Sequence, residues 1–538
     1  MTRDAGKGVR GAAAIGAGLA AARGARRIEP GERIHVVGAA GAGASAAALL
    51  GAWAGARVDG CDPGGPSPYT PALDAVGVTV AGRHDPAHVT GGTPPTRLAV
   101  TKALTAIDPD NAELAAARAR GIPLEPWQQL VADAAAARVL VAVAGTHGKS
   151  TTSGWLVHVL SAGGMDPGAF VGALLPADLT GIGVPATARR GAAGALTPFV
   201  VEADEYAGNF DPYLPSVAIL TSAEWDHPDV FADRAAVLAA FEIWIRRAAD
   251  VAGPGGPGTP PVLVANVADD GVAELVERLS DWPGRIVATA LVDVASQRVG
   301  GYAKGIAERF RTAAGPAGAL LGRISSAAPD ATTLELHGLD ALTGPRAARL
   351  ATAGRHNAAN ALGVAGAAAA VGLDPRAIIT GLGSFGGVGR RLERKGEARG
   401  VVVYDDYGHH PTAIRETLVA VRQREPGRRV WAVYEPLTYH RTAALLDAFA
   451  VVLATADAVA IADIWAGRDP DTTIASAAGL AAAVASRAPG IPVAAPGSVE
   501  ATAAWLAGEV RPGDVVLVMG GGRSYRIGEL LLERLEAR

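Results

Sequence analysis

The run Val139-Leu140-Val141-Ala142-Val143, followed closely by Gly145-Thr146-His147-Gly148-Lys149-Ser150-Thr151-Thr152, limits what this chain can fold into more than any other segment. An unbroken apolar stretch of this length fits a strand covered on both faces, as in parallel sheets. The turn after it leads into an apolar helix candidate that continues through Leu160. Glycines there let backbone N–H groups converge on phosphate oxygens, and the helix N-terminus reinforces the field. Lys149 suits the charge of β/γ-phosphates, and the Ser150 hydroxyl suits magnesium. Val143 stands where the general phosphate-loop pattern has its first glycine, so this loop is a tighter variant. The plain alternative is a glycine turn with an exposed lysine. The coincidence of strand, Gly-Lys-Ser and helix argues against it.

Two further segments repeat the strand-then-turn plan. Ile34-His35-Val36-Val37 runs into Gly38, Gly41 and Gly43 and then an Ala/Leu run to Trp53. Val401-Val402-Val403-Tyr404 runs into an acidic, histidine-rich turn and a helix candidate over 411–422. Each places binding residues at the carboxyl end of a buried parallel strand. Three α/β domains follow from this, in keeping with units of about 150 residues in a chain of 538. The breaks fall near 135, after the Pro/Gly-containing 121–126, and near 384, in the glycine-rich 381–389. The expected division is an extension over 1–32, then domains over 33–135, 136–384 and 385–538. Segments 181–197 and 253–261 read as loops, being rich in Gly, Pro and small residues.

Composition narrows the function classes. Apolar residues make up 49% and charged residues 19%, which fits a globular chain rather than a disordered one. A formal charge of −4 gives no electrostatic reason to expect nucleic acid as a partner. Cys61 is the only cysteine, so neither a disulfide framework nor a cysteine-based zinc site is expected within the chain. Residues 7–24 faintly resemble a secretion signal, but their core is weakly hydrophobic and Arg23, Arg26 and Arg27 close it off. They are expected to form a flexible or weakly helical extension. No convincing membrane span is found elsewhere.

A metal set can be drawn around the phosphate loop. Glu202 follows the strand candidate Phe199-Val200-Val201, and His227 follows a strand over 217–220 within Glu224-Trp225-Asp226-His227. Neighbouring strand ends bring such positions to one rim, where a carboxylate and an imidazole suit magnesium or manganese beside phosphates. By spacing alone, an Asp-His pair is as readily a helix cap or a surface hydrogen bond.

Taken together, ordered blocks over residues 33 to 522 resemble the Mur ligase family. They are Ile34 to Gly38 with Gly41, Ala42, Gly43 and Ser45; Gly145 to Thr152; Glu202-Ala203-Asp204-Glu205; and Asp226-His227. The series continues with Gly354-Arg355-His356-Asn357 and Asn360; Gly389-Arg390-Arg391; and Asp405 to Thr412. The resemblance implies a three-domain α/β fold: a Rossmann-like N-terminal domain, a central P-loop ATPase-like domain and a Rossmann-like C-terminal domain. It implies ATP-dependent ligation of L-alanine to UDP-N-acetylmuramate through an acyl phosphate, with Mg2+ (Mn2+ as substitute), in a cytoplasmic monomer or homodimer of peptidoglycan precursor synthesis. The other readings are a recycling ligase that takes a preformed tripeptide and a non-catalytic nucleotide-sugar sensor.

The same resemblance assigns residues. Gly38, Gly41, Ala42, Gly43, Ser45 and Asp62 would meet the UDP-sugar, although Gly60-Cys61-Asp62 also fits a plain turn. Gly145, Thr146, His147, Gly148, Lys149, Ser150 and Thr151 would hold ATP phosphates, joined by His356 and Asn357. Asn357 also fits a helix N-cap. Ser150, Glu202 and His227 would hold metal. Lys149, His227 and Arg390 are the catalytic candidates; adjacent side chains diverge, so Arg390 is assigned to the site and Arg391 to a salt bridge with Glu393 or Glu397. Asp406, His409, His410, Tyr439 and Arg441 would bind the amino acid or close the domains. For His410, ahead of Pro411, a structural hydrogen bond is an equal alternative. Two departures stand out: Ser222 replaces an expected asparagine, and Glu435 places an acid where a less acidic residue is usual. Both bear on the choice of acceptor.

Overall fold

A computed structural model describes residues 15–295, 298–310, 318–339, 344–467, 469 and 471–537. Three sheets organise it. The first is fully parallel, in the spatial order Val80–Ala81, Arg57–Cys61, Arg33–Val37, Arg97–Val100, Leu124–Pro126. The order reverses at Arg33–Val37, so the turn after that strand opens at a switch point where open α/β sheets bind ligands. The helix Ala42–Trp53 follows directly.

The central sheet has ten strands. Val139–Ala144 lies in its middle, between Val217–Leu220 and Pro198–Glu202, with all three parallel. That adjacency places the phosphate loop, the Glu202 strand end and the loop leading to His227 on one rim. The outer strands turn antiparallel at both edges, Ala319–Ala327 to Arg346–Leu350 on one side and Gly168–Leu175 with Ala186–Arg189 on the other. The third sheet runs Glu393–Ala398, Val401–Asp406, Val515–Gly520, Val430–Glu435, Ala458–Ala462, Val493–Gly497, antiparallel only at its first pair.

The expected strands and helices at these openings are present within a few residues: Arg33–Val37, Val139–Ala144 and Val401–Asp406 lead to helices Ala42–Trp53, Lys149–Ala162 and Pro411–Arg424. Two readings need correction. Within 181–197, expected as loop, Ala186–Arg189 is a strand. Its small side chains let the helix Ala42–Trp53 pack closely, and Ser45 Oγ meets Thr187 Oγ1 at 3.1 Å across the contact between the first and central units. Over 7–24, the flexible or weakly helical reading does not describe 15–24; residues 1–14 lie outside the described residues. Ile15 is buried, and the Ala20 N–H donates to the Leu124 carbonyl at 2.7 Å. Arg23 grips Glu125 and Asp133, each at 2.8 Å. Both carboxylates also face Arg97, and a buried acidic pair needs this second counter-charge.

Candidate active site

The three units close around one cleft of about 920 Å³. At its floor the phosphate loop is fixed by its neighbours. Gly145 has φ +129° and lies so close to Thr221 and Ser222 that a Cβ would sit 2.3 Å from Thr221 Oγ1. Gly148, at φ +79°, would put a Cβ 2.7 Å from Asn360 Oδ1. Only glycine meets both demands. The His147 N–H donates to Ser222 Oγ at 2.9 Å, so the serine that departs from the expected pattern fastens the loop through its hydroxyl.

Lys149 projects from the first turn of its helix into a group of acids. Its ammonium donates to the Gly145 carbonyl at 2.7 Å and to Glu205 at 2.9 Å, with Asp204 at 3.6 Å. Burial disfavours that charge, but Glu205 and Asp204 outweigh it and raise the ammonium above its ordinary pKa. Ser150 Oγ donates to Glu202 at 3.0 Å and accepts from Arg391 at 2.6 Å. Ser150 and Glu202 thus meet as expected, while His227 stands with Asp204 and Glu205 instead, their ligand atoms within 4.8 Å of one another. Carboxylate oxygens, a hydroxyl and one imidazole form a donor set that fits a hard divalent cation.

His227 holds a left-handed backbone at φ +56°, where only a well-determined setting keeps a non-glycine residue. That setting is Asp226, which accepts from the His227 N–H at 2.7 Å and is itself paired with Arg441 of the third unit at 2.8 Å. Burial would raise the Asp226 pKa, but Arg441 and His227 hold it well below the usual carboxylate range. Arg441 also reaches His227 Nδ1 at 3.1 Å.

The choice between the paired arginines comes out the other way from the sequence-based expectation. Arg390 points into the third unit, pairing with buried Asp405 at 3.1 Å and donating to the Gly520 carbonyl and Ser524 at 2.8 Å each. Arg391 enters the cleft and touches Ser150. Glu393, expected to pair with Arg391, instead accepts the Arg390 backbone N–H at 2.8 Å. Arg390→Ala is therefore expected to strand Asp405 and cost about 3 kcal/mol of stability, read as a lowered melting temperature. Arg391→Ala is expected to melt like the unaltered chain and lose at least about tenfold in turnover.

Thr146, His147, Gly148, Lys149, Ser150, Thr151, Glu202, His227, His356, Asn357, Asp406, His409, His410 and Arg441 all line the cleft, as does Gly43. Gly38, Gly41, Ala42, Ser45, Asp62, Gly145, Arg390 and Tyr439 are not among its lining residues. Asp62 accepts the Ala40 and Gly64 N–H groups, at 3.0 and 2.8 Å, and so shapes the turn above the first sheet. Asn357 lies inside the helix Arg355–Ala370 rather than at its N-cap, and donates to the Ala353 carbonyl at 2.8 Å. Tyr439 opens the helix Tyr439–Ala444. Glu435 is buried away from the cleft, and burial pushes its carboxyl up to about 7. Asp204 and Glu205 were the overlooked residues. They lie on the loop just past the Glu202 strand end, within a block already singled out.

On the third unit, His410 caps its helix by accepting the Thr412 N–H at 3.3 Å, the structural alternative left open for it. Its ring lies 4.6 Å from that of His147, and burial followed by the His147 charge lowers its pKa to about 4. Glu224 bridges the central and third units, with His147 at 3.2 Å and Thr412 at 2.8 Å. Burial opposes its charge, but the His147 and Thr412 contacts prevail and lower its pKa to about 2. A carboxylate depressed in the folded state stabilises it fully above the unfolded value near 4.5 and loses that contribution as pH falls toward 2. Acid titration of Glu224→Gln, followed by unfolding signal, is expected to show a flatter loss of stability across this window than the unaltered chain.

Comparison with known proteins agrees with this geometry. The model of the "Mur ligase family, catalytic domain" matches residues 33–139, and that of "Mur ligase, glutamate ligase domain" matches 390–522. A UDP-N-acetylmuramate–L-alanine ligase of Kineococcus radiotolerans is 36% identical, the match covering 94% of this chain and 97% of that one. One from Mycobacterium sp. (strain JLS) is 37% identical, covering 94% and 96%. In fold, the chain is similar to a UDP-N-acetylmuramate-alanine ligase of Thermotoga maritima, with TM-score 0.69, 22% identity and coverage of 94% and 99%. It is likewise similar to a murein peptide ligase of Psychrobacter arcticus, with TM-score 0.66, 24% identity and the same coverage. With full-length relatives at this identity and a phosphate loop, acidic cluster and closing arginines on one cleft, the chain belongs to the Mur ligase family.

Proposed function

We propose that this chain joins L-alanine to UDP-N-acetylmuramate at the expense of ATP, through an acyl phosphate. The observation that carries the reading is the meeting of Lys149, Ser150, Glu202, Asp204 and His227 with Arg391 and Arg441 from the third unit on one cleft. The match to full-length ligases of this name supports the choice of substrates.

A carboxylate is a poor electrophile, so it must first carry a leaving group. An oxygen of the muramyl carboxylate attacks the γ-phosphorus and ADP departs. The alanine amine then attacks the acyl carbon, phosphate leaves and the nitrogen gives up a proton to the departing phosphate. Lys149 and Arg391 steady charge as it spreads over the transferring phosphoryl group. Ser150 with Glu202, and His227 with Asp204 and Glu205, would hold magnesium, which when bound neutralises phosphate charge and polarises phosphoryl oxygens. His227 is a poor general base in this arrangement, since a committed lone pair cannot accept a proton. Asp406 and His409 would orient the incoming amino acid, while Asp226 and Arg441 would hold the third unit against the centre and keep water from the acyl phosphate.

In this reading residues 33–135 take the nucleotide sugar, 136–384 take ATP and 385–538 take the amino acid. No helix among the described residues is long and apolar enough to cross a membrane. The same reading puts the site of action in the cytoplasm, as a monomer or homodimer. The test is an assay of purified protein with UDP-N-acetylmuramate, magnesium-ATP and separate acceptors: alanine, glycine, serine and the tripeptide. Phosphate and conjugate are detected together. Alanine-dependent conjugate is expected. Conjugate with the tripeptide alone reassigns the acceptor, and phosphate release without any amide product rejects the ligase reading.

A further inference from the structure

Outside the residues that line the cleft, the single cysteine meets three histidines and a glutamate inside the first unit. Strand pleating sends Ile34 and Val36 toward the helix Ala42–Trp53, and His35 and Val37 to the opposite face of the sheet, where Cys61 also lies. The parallel register sets His35 beside Asp59 and Val37 beside Cys61. Above them sit the 84–88 segment and Glu113, in the first turn of the helix Ala112–Ala119. Glu113 has a fully buried side chain and His35 is 3% exposed. None of these residues lines the active-site cleft.

The contacts are those of ligands around a common point. Cys61 Sγ lies 3.4 Å from His35 Nε2, 3.1 Å from His84 Nδ1 and 3.3 Å from Glu113 Oε2. Glu113 Oε1 lies 2.8 Å from His35 Nε2 and 3.0 Å from His88 Nδ1. Tetrahedral bonds of the lengths zinc makes to nitrogen, oxygen and sulfur give ligand-to-ligand edges of roughly 3.3–3.7 Å, which the Cys61 edges to His35 and Glu113 match, while the shorter Glu113 contacts to His35 and His88 would open by a few tenths of an ångström around the ion. The other nitrogen of His35 meets the Asp59 carboxylate at 2.6 Å. A carboxylate there fixes the tautomer that leaves Nε2 with its lone pair, the usual outer support of a metal-bound histidine.

Without a cation the cluster leaves Glu113 no lone pair to spare. Four donors converge on it, His35, His88, Cys61 and the Asp85 N–H at 3.2 Å, while His84 Nδ1 is taken by Cys61. A carboxylate offers about four lone-pair positions. A divalent cation instead meets a thiolate and a carboxylate of equal total charge, leaving every imidazole neutral.

We propose that His35, Cys61, His88 and Glu113 form a structural site for a borderline-soft divalent metal, Zn2+ by its ligand chemistry, with His84 hydrogen-bonded at its rim. Four protein ligands in a buried setting leave no open position for catalysis. The metal ties the 84–88 segment and the helix Ala112–Ala119 to the first sheet. The sequence reading set aside a cysteine-based zinc site because one cysteine seemed too few; histidines distant in sequence supply the rest.

Because Cys61 is the only thiol, cobalt substitution isolates this site from any metal held in the cleft. The full chain, stripped with a strong chelator and loaded with Co2+, is expected to show a near-ultraviolet sulfur-to-cobalt charge-transfer band, displaced by one equivalent of Zn2+. Cys61→Ser removes the band. Asp59→Asn, at a side chain 61% exposed and so safe for folding, is expected to weaken Co2+ affinity about 10- to 100-fold with the band retained. A folded, unaltered chain that takes up Co2+ without this band overturns the proposal, as does an affinity indifferent to Asp59→Asn.

Discussion

Lys149→Ala is expected to lower the rate of conjugate formation by about 10²–10³-fold, some 3–4 kcal/mol of transition-state stabilisation. The ammonium sits at the mouth of the helix Lys149–Ala162, held by the Gly145 carbonyl and Glu205 where triphosphate would lie against the loop. Alanine removes the only lysine among the described residues that line the cleft and leaves Glu205, almost wholly buried, without its partner. Part of any loss could therefore arise from a weakened fold. Lys149→Ala combined with Glu205→Gln, compared with Glu205→Gln alone, separates the two effects, since the amide carries no stranded charge and the single variant accounts for any loss at the metal position. Melting temperature should recover in the double variant while turnover stays low. Recovery of turnover along with stability would show that Lys149 serves the fold and not the phosphates.

Arg441→Ala should produce the second large effect, through closure. Asp226 and Arg441 have side chains only 4% and 5% exposed, and they join the central and third units. Removing one partner of such a pair costs about 3–5 kcal/mol if the other charge stays buried. Here the molecule has an escape: the third unit can swing away and let water reach Asp226. The expected result is a more open average form, seen as a larger radius of gyration by small-angle scattering, with turnover down at least about 10²-fold. His227 also loses a neighbour, so its strained backbone is less firmly held. Asp226→Asn in the Arg441→Ala background should restore the compact form, because nothing charged remains buried there. An unchanged radius and unchanged turnover in Arg441→Ala would remove this pair from any part in closure.

Much of the architecture was legible because it rests on local signals. The strand Val139–Ala144 reads as a buried strand from its own residues, and Gly148-Lys149-Ser150 reads as a phosphate turn from the backbone freedom and charge it supplies. The Arg390-Arg391 assignment failed for a different reason. Two adjacent arginines are equivalent in a sequence, and what separates them is Asp405 on the neighbouring strand and the Gly520 carbonyl, which claim Arg390. Similarly, the strand Ala186–Arg189 carries no strong β signal of its own; an edge position and a helix from another unit make it one.

The sequence by itself therefore determined the elements whose cause lies within a few residues: three strand-and-turn openings, a phosphate loop and Glu202 at its strand end. Tertiary structure alone decided which distant groups share a point in space. It chose Arg391 over Arg390, set His227 with Asp204 and Glu205, anchored Arg23 on Glu125 and Asp133, and gathered one cysteine with three histidines around Glu113. The physical reason is that charge pairing and ligation depend on inverse distance, and distance between remote residues is fixed only when sheets and helices pack.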